Sequence, residues 1–441
     1  MRGILRKRTA VKDIYLVSYS VKGIKTLDKL ISLQFYKKTI SKNPDTQEYN
    51  IKGIYGMNGS GKSGIITSVE ILRNIIVDPG YLNNPVVQKN LDAMINKRTK
   101  ELFIEADYMV KAEEEIKLFR YSVTLSKNNL GRYVISHECL STKKAISKSE
   151  FDETVFEVSD GEIVSVYEGK EKDEFIESIL NKTMNLLTTA SMSALFYEKF
   201  IKSNNMQKEK NILWAYITFL YVLGEKIHVY LDDSDNHRKN FLEIYDDCIN
   251  VINIIGNIVP QEMYKHFEKT VNKLFEFLHI FKTDLKGIEI DRKEDHELWV
   301  CDLVMCYESY KIHAEFESTG IKKLIKLFAY LKEMVQGGIV FIDEFDSNLH
   351  DVYLCALLEY LMEYGEGQLC FTTHNVGPMD VLKQHKKSID FLSENHRIYP
   401  WTTNGNYSPS KLYRNGMIEG SPFNVDSIDF IGVFGTGEVD E

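Results

Sequence analysis

The chain reads as an α/β fold: a mixed or parallel sheet with flanking helices, joined to an antiparallel β lobe and a helical insertion. Three stretches predict it. In "YNIKGIYGMNGSGKSGIITSVEILRNII" a short buried strand enters a glycine loop and leaves as a helix, with Ile65, Val69, Leu72 and Ile76 at helical spacing. In "GGIVFIDEFDSNLH" the apolar run Ile339 to Ile342 has the character of a parallel strand buried on both faces, closed by Asp343 and Glu344. In "QLCFTTHN" a second short apolar strand ends in Thr372, Thr373 and His374.

The remaining elements follow in order. "DIYLVSYSVKGIKTLDKLISLQFY", from Asp13 to about Tyr36, is rich in β-branched and aromatic residues and predicts two or more strands. "LFIEADYMV" and "LFRYSVTLS" predict more, so residues 1–170 form a first part holding the glycine loop and a β lobe. Residues 171–284 read as a helical insertion, with Pro260 as the main breaker, and 285–441 as the second part of the core. There "GIEIDRK", "HELWVCDLVMCY" and "YKIHAEFE" return to strands, and "FESTGIKKLIKLFAYL" predicts a helix capped by Ser318 or Thr319, with Ile321, Leu324, Ile325, Phe328 and Leu331 on its apolar face.

Composition narrows the classes. Apolar residues make up 44% and charged residues 27% of 441, which is globular usage. A net charge of −10 argues against coating nucleic acid through bulk charge, because phosphate binding needs clustered cations. The basic strip Arg2, Arg6, Lys7, Arg8 and Lys12 could still meet phosphates or an acidic protein. The six cysteines show no metal-ligand spacing, which points to buried thiols in a reducing cytoplasm. The start lacks the apolar run of a secretory signal, and the longest apolar run, "ILWAYITFLYVL", is too short to span a bilayer. That run is a core helix or a partner-facing one, with Trp214, Tyr216, Phe219 and Tyr221 as residue types enriched in interface cores.

The chemistry sits in the strings. "GMNGSGKS" fits GxxxxGK[ST]: the peptide N–H groups of Gly59, Ser60, Gly61, Lys62 and Ser63, at a helix start beside Asn58, form a concave anion site suited to the β- and γ-phosphates of a nucleotide. Lys62 would sit on those oxygens and the Ser63 hydroxyl would ligate Mg²⁺. Asp343 would order the metal's shell and Glu344 would act as general base on water. Ser318 and Gly320 mark a second helix start able to face an anion, and His374 would lie beside the nucleotide if its strand neighbours the one ending in Glu344.

"GMNGSGKS", "ESTG", "IVFIDEFDSNLH" and "FTTHN", in that order, resemble the ABC-type ATPases of the SMC, Rad50 and RecF kind. The likeness is nearer to the single-chain ATPases of bacterial anti-phage and abortive-infection systems, such as those of Septu and PARIS and the ATPase domain of OLD-type proteins. It covers roughly residues 13–80 and 285–400, and "ESTG" lacks the second glycine and the glutamine of a transporter-type signature. It implies ATP and Mg²⁺ as ligands, Asp343 and Glu344 for metal and water, and His374 as the switch histidine. Ser318 and Gly320 would contact the γ-phosphate held by another subunit, so the assembly would be a homo-oligomer built on head-to-tail dimers. Gln88 is the candidate for the loop glutamine.

Little chain follows His374, and it holds no second acidic catalytic set, so the expected activity is ATP hydrolysis without cutting. The resulting expectation is a cytoplasmic ATPase that controls a separately encoded effector in phage defence, such as a TOPRIM- or HNH-type nuclease. The alternative is a RecF-like repair ATPase that binds DNA.

Overall fold

The structure, a computed structural model, describes residues 13–112, 115–147, 150–167, 174–202, 212–231, 244–245, 248–249, 252–402 and 407–421. The basic strip at the start of the chain lies outside the described residues.

The central layer is a six-stranded sheet in the spatial order Ile398–Pro400, Ile389–Leu392, Ile51–Gly56, Gln368–Thr372, Ile339–Ile342, Ile227–Tyr230. Every neighbour pair is parallel except the outermost, Ile389–Leu392 with Ile398–Pro400. Because successive strand residues point to opposite faces, Ile339 and Phe341 enter one core while Val340 and Ile342 enter the other. Both faces of that strand are sealed, which is why it is apolar throughout. Burying each such side chain contributes roughly 1.5–3 kcal/mol.

One face meets the glycine-loop helix Lys62–Val77 and a seven-stranded antiparallel sheet whose longest strands are Glu101–Ala112, Glu115–Lys127 and Tyr133–Lys144. This is the β lobe. Gln368 ties it to the central sheet, donating to Leu16 O at 2.9 Å and accepting from Leu16 N at 2.7 Å. The other face is covered by the helices Thr319–Val335, Asp351–Tyr364 and Gly377–Leu382. A third core lies under the small antiparallel sheet Asn257–Pro260, Leu298–Cys306, Gly287–Asp295, with the helix Tyr264–Phe281. The helix Thr319–Val335 joins two cores: Ile321, Leu324 and Ile325 pack into the small one, while Leu327, Leu331 and Met334 pack beneath the central sheet.

The reading of 171–284 as a helical insertion needs correction. Helices Glu174–Thr183, Met192–Lys202, Ile212–Lys226 and Tyr264–Phe281 are present, but Ile227–Tyr230 is the edge strand of the central sheet and Asn257–Pro260 belongs to the small sheet. The apolar run predicted on Ile212–Leu223 is a core helix. At Gly224 a Cβ would stand 2.6 Å from Ile76 Cγ2, so the side chains of Ile76 and Val77 pack directly on the backbone of this helix. Trp214 packs against Phe196 at 5.2 Å, and Tyr216 and Phe219 pack against Phe119 at 5.2 and 6.0 Å. These rings face inward, which sets aside the partner-facing alternative for them. Among the described residues, no helix is long and apolar enough to cross a membrane.

Candidate nucleotide site

The sequence motifs come together at the carboxyl ends of three adjacent parallel strands, Ile51–Gly56, Gln368–Thr372 and Ile339–Ile342. The strand leading to His374 lies between the other two, so the condition set for that histidine is met. Ligands of open parallel sheets bind at this end, where strands release their chains into loops.

The glycine loop leaves its strand at Gly56 and turns through Gly59 and Gly61, whose φ values of 77° and 106° are left-handed. A side chain at Gly61 would run into Leu27 as well as being strained there. Gly61 is the N-cap of the helix Lys62–Val77 and supplies no side-chain cap, so the first N–H groups of a 16-residue helix face the loop unsatisfied by side chains. The buried Ser60 Oγ has no hydrogen-bond partner. Asn58 and Gly59 form the exposed tip. Such a cradle fits an anion with several oxygens.

Lys62 is buried, and its ammonium donates to the carbonyls of Gly56 at 2.7 Å and Met57 at 2.9 Å. Burial pushes its pKa down to about 8, opposed by the carboxylates of Asp343, Glu344 and Asp346. Asp343 Oδ1 accepts from the Thr372 hydroxyl at 2.5 Å, and that oxygen in turn accepts the Glu344 N–H at 2.8 Å. Glu344 has φ 48°, a left-handed conformation uncommon for a residue with a Cβ, and its side chain is exposed. His374 stands exposed at the end of its strand. Desolvation and then the Lys62 charge lower its pKa, against the pull of Asp346, Glu344 and Asp343, so the imidazole is neutral at neutral pH.

Residues 308–380 match the family described as "AAA domain, putative AbiEii toxin, Type IV TA system". Over 428 residues the chain is 23% identical to the "Retron Vc95 probable ATPase" of Vibrio cholerae serotype O1 biovar El Tor, covering 89% of this chain and 78% of that relative. The chain is thus similar to an AAA domain over part of its length and to a probable ATPase over most of it. Among solved structures the chain is similar to the recombination mediator protein RecF, with TM-score 0.39, 13% identity and coverage of 89% of this chain and 100% of that one.

Among the described residues, no hydrogen bond or ion pair joins Ser318 or Gly320 to Lys62 or Ser63. Ser318 is the exposed N-cap of the helix Thr319–Val335 and accepts from Ile321 N at 3.4 Å. Gly320 abuts the turn after Glu344, where a Cβ would stand 2.8 Å from Asn348 O. Gln88 is not a loop glutamine. Its amide nitrogen donates to Leu82 O and Tyr133 O and its oxygen accepts from Tyr133 N, so both ends are spent in fastening the helix Pro85–Met94 to the β lobe.

Sequence reasoning missed three residues that shape the site. Thr372 was visible in "FTTHN", but its bond to Asp343 depends on register between strands. Asp346, two positions beyond Glu344, is a third carboxylate felt by Lys62 and His374, and its Oδ1 is buried with no partner. Lys323 reaches the Glu344 carbonyl from the neighbouring helix.

Proposed function

We propose that the chain binds Mg-ATP in this cradle, hydrolyses it, and uses its nucleotide state to control a separately encoded effector in the cytoplasm as part of phage defence. The observation that carries the ATP reading is the convergence of an uncapped helix start, a buried lysine, two strand-end acids and a neutral histidine at one end of a parallel sheet. The N–H groups from Gly59 to Ser63 and the Lys62 ammonium hold the β- and γ-phosphates. Ser63 and Asp343 are the residues that would hold Mg²⁺, which neutralises phosphate charge. Among the described residues no group of three or more His, Cys, Asp or Glu is placed to hold a metal ion by itself, and Mg²⁺ commonly takes its other ligands from phosphate and water.

Glu344 takes a proton from water as its oxygen bonds to the γ-phosphorus and the bond to the ADP oxygen breaks. His374 contacts the γ-phosphate, and Ser318 and Gly320 of a neighbouring subunit close the site. The defence reading is supported by the matched family, whose description names a toxin–antitoxin system, and by the relative, whose name places it in a retron.

The test is Glu344→Gln, which keeps shape and loses the base: ATP binding is retained and turnover stops. Turnover at the wild-type rate sinks the assignment. For the effector, the product of an adjacent gene, such as a TOPRIM- or HNH-type nuclease, is expected to co-purify in a nucleotide-dependent manner. Tight ATP-dependent binding of duplex DNA at physiological salt, without such a partner, replaces the effector reading with a DNA clamp.

A further inference from the structure

Glu344 is held at both of its peptide flanks, by two different elements. Its N–H is fixed by Thr372 on the strand that leads to His374, at 2.8 Å. Its carbonyl accepts from the ammonium of Lys323 at 2.5 Å, and the same ammonium bonds the hydroxyl of Ser347. Lys323 belongs to the helix whose first turn carries Ser318 and Gly320, and it is 3% exposed. A lysine in that position is costly to bury; what the ammonium adds is directed bonds to the turn, at the Glu344 carbonyl and the Ser347 hydroxyl.

That residue is in a conformation needing support. With φ 48°, Glu344 persists in the left-handed region only because its surroundings hold it there. Turning the peptide plane after Glu344 would break the bond to Lys323, and leaving the left-handed φ would redirect the side chain. The same helix is positioned by two cores: its first half packs on the small sheet and its second half beneath the central sheet, with Lys323 between Ile321 and Leu327 where the two meet. Ser318 at the helix start therefore lies on one rigid element with the cation that grips Glu344.

We infer that Lys323 is a positioning residue, holding the backbone of the general base of its own subunit. Its ammonium fixes the Glu344 carbonyl and the turn at Ser347, which keeps Glu344 in its left-handed conformation and its carboxylate where it can take a proton from water. The inference rests on Glu344 being the base, and goes beyond it in naming the cation that holds that base in place.

The experiment uses the full chain with Lys323→Met, Lys323→Arg, Ser347→Ala, Glu344→Gln and the Lys323→Met/Glu344→Gln double variant. Fluorescent-nucleotide binding, steady-state hydrolysis and thermal midpoint are measured for each. Lys323→Met is expected to lower kcat about 10- to 100-fold, the scale of a small misplacement of a catalytic group, with the nucleotide Kd within about twofold. Lys323→Arg restores most of kcat. In the Glu344→Gln background Lys323→Met has no further effect on residual turnover, because its route of action is already gone; a merely structural role would add its own loss. Ser347→Ala, which leaves the lysine in place, lowers kcat severalfold and serves should Lys323→Met fail to fold. Wild-type kcat in both Lys323→Met and Ser347→Ala overturns the inference, as does an undiminished Lys323→Met effect in the Glu344→Gln background. Wild-type turnover in Glu344→Gln alone is a separate result, which removes the assignment of the base itself.

Discussion

The Thr372 hydroxyl donates to the Asp343 carboxylate at 2.5 Å, joining the ends of two neighbouring parallel strands at the point where the candidate nucleotide site begins. The same oxygen accepts the amide of Glu344 at 2.8 Å, so one hydroxyl orients both acids. Replacing it with an isosteric methyl leaves the Glu344 amide without that acceptor and frees the Asp343 carboxylate to rotate. Thr372→Val is expected to lower kcat about 10- to 100-fold. Stability should fall by about 1–3 kcal/mol, the usual cost of an orphaned buried donor. Hydrolysis assays and urea titration read the two effects, and an unchanged kcat shows that the acids are held by other means.

Lys62 gives nucleotide binding a basic limb. Burial lowers its pKa to about 8 despite three nearby carboxylates, so the free protein loses this charge as pH rises through about 8 rather than near the ordinary 10.5. A triphosphate binds the protonated form better. Affinity for ATP should therefore be steady below about pH 7 and fall as pH passes 8, with the midpoint reporting the free protein. Titrating a fluorescent ATP analogue between pH 6.5 and 9.5 at about constant ionic strength checks this; constant affinity to pH 9.5 shows that Lys62 stays charged.

Much of the site was legible because its parts are local strings. A phosphate loop must place glycine at left-handed positions next to a helix start, and Gly59 and Gly61 do so within a few residues of Lys62. The double-sided burial of Ile339–Ile342 likewise writes itself as an unbroken apolar run. What escaped depends on partners distant in sequence. The edge strand Ile227–Tyr230 follows the helix Ile212–Lys226 without an intervening turn, so nothing in the string separates the two; pairing with Ile339–Ile342 is what makes it a strand. Gln88 is a candidate only through the resemblance, which calls for a loop glutamine, and its role as a tether to Tyr133 exists only once the β lobe has folded. Lys323 was part of an ordinary amphipathic helix until the turn after Glu344 was laid against it.

Away from the site, Glu138 is fully buried between the β lobe and the helix Met192–Lys202, accepting from Tyr121 Oη at 2.9 Å and Met192 N at 3.0 Å. Burial raises its pKa to about 7, against those two donors. The unfolded chain releases this proton near the ordinary value of 4.5 and the folded chain only near 7. Between these values the folded state binds more protons, so stability falls as pH rises through that window, by roughly 3 kcal/mol in all. Glu138→Gln stays neutral, with its amide oxygen able to accept from Met192 N and its NH₂ able to donate to Tyr121. Thermal midpoints at about pH 5 and pH 8 should decline in the wild type and lose most of that decline in the variant. Parallel profiles would show that Glu138 does not retain its proton.

The last prediction concerns how the site is completed. Ser318 and Thr319 are exposed at the start of a 17-residue helix, and neighbouring Phe316 is 72% exposed, a large apolar ring that a second subunit could cover. The Ser318 hydroxyl serves its own helix only through a 3.4 Å contact to Ile321 N, leaving it available to an incoming anion. Across a two-fold axis this helix start would face the partner's γ-phosphate, and the contact would occur twice. Lys62→Ala removes the phosphate grip of one half-site, and Ser318→Arg blocks the other half with bulk while leaving the cradle untouched. Each variant alone should have at most about a hundredth of wild-type turnover, given what removal of one charged or transition-state donor costs. Mixed after subunit exchange, heterodimers hold one site with both defects and one with neither, so up to about a quarter of wild-type turnover should return: half the dimers are mixed and each has one sound site. Native mass spectrometry confirms the exchange. Recovery places Ser318 on the partner's nucleotide, and its absence in a verified mixture means that each subunit completes its own site or that both sites must fire together, a choice that tethering one wild-type half to one Glu344→Gln half decides: about half of wild-type turnover shows independent sites, and none shows joint firing.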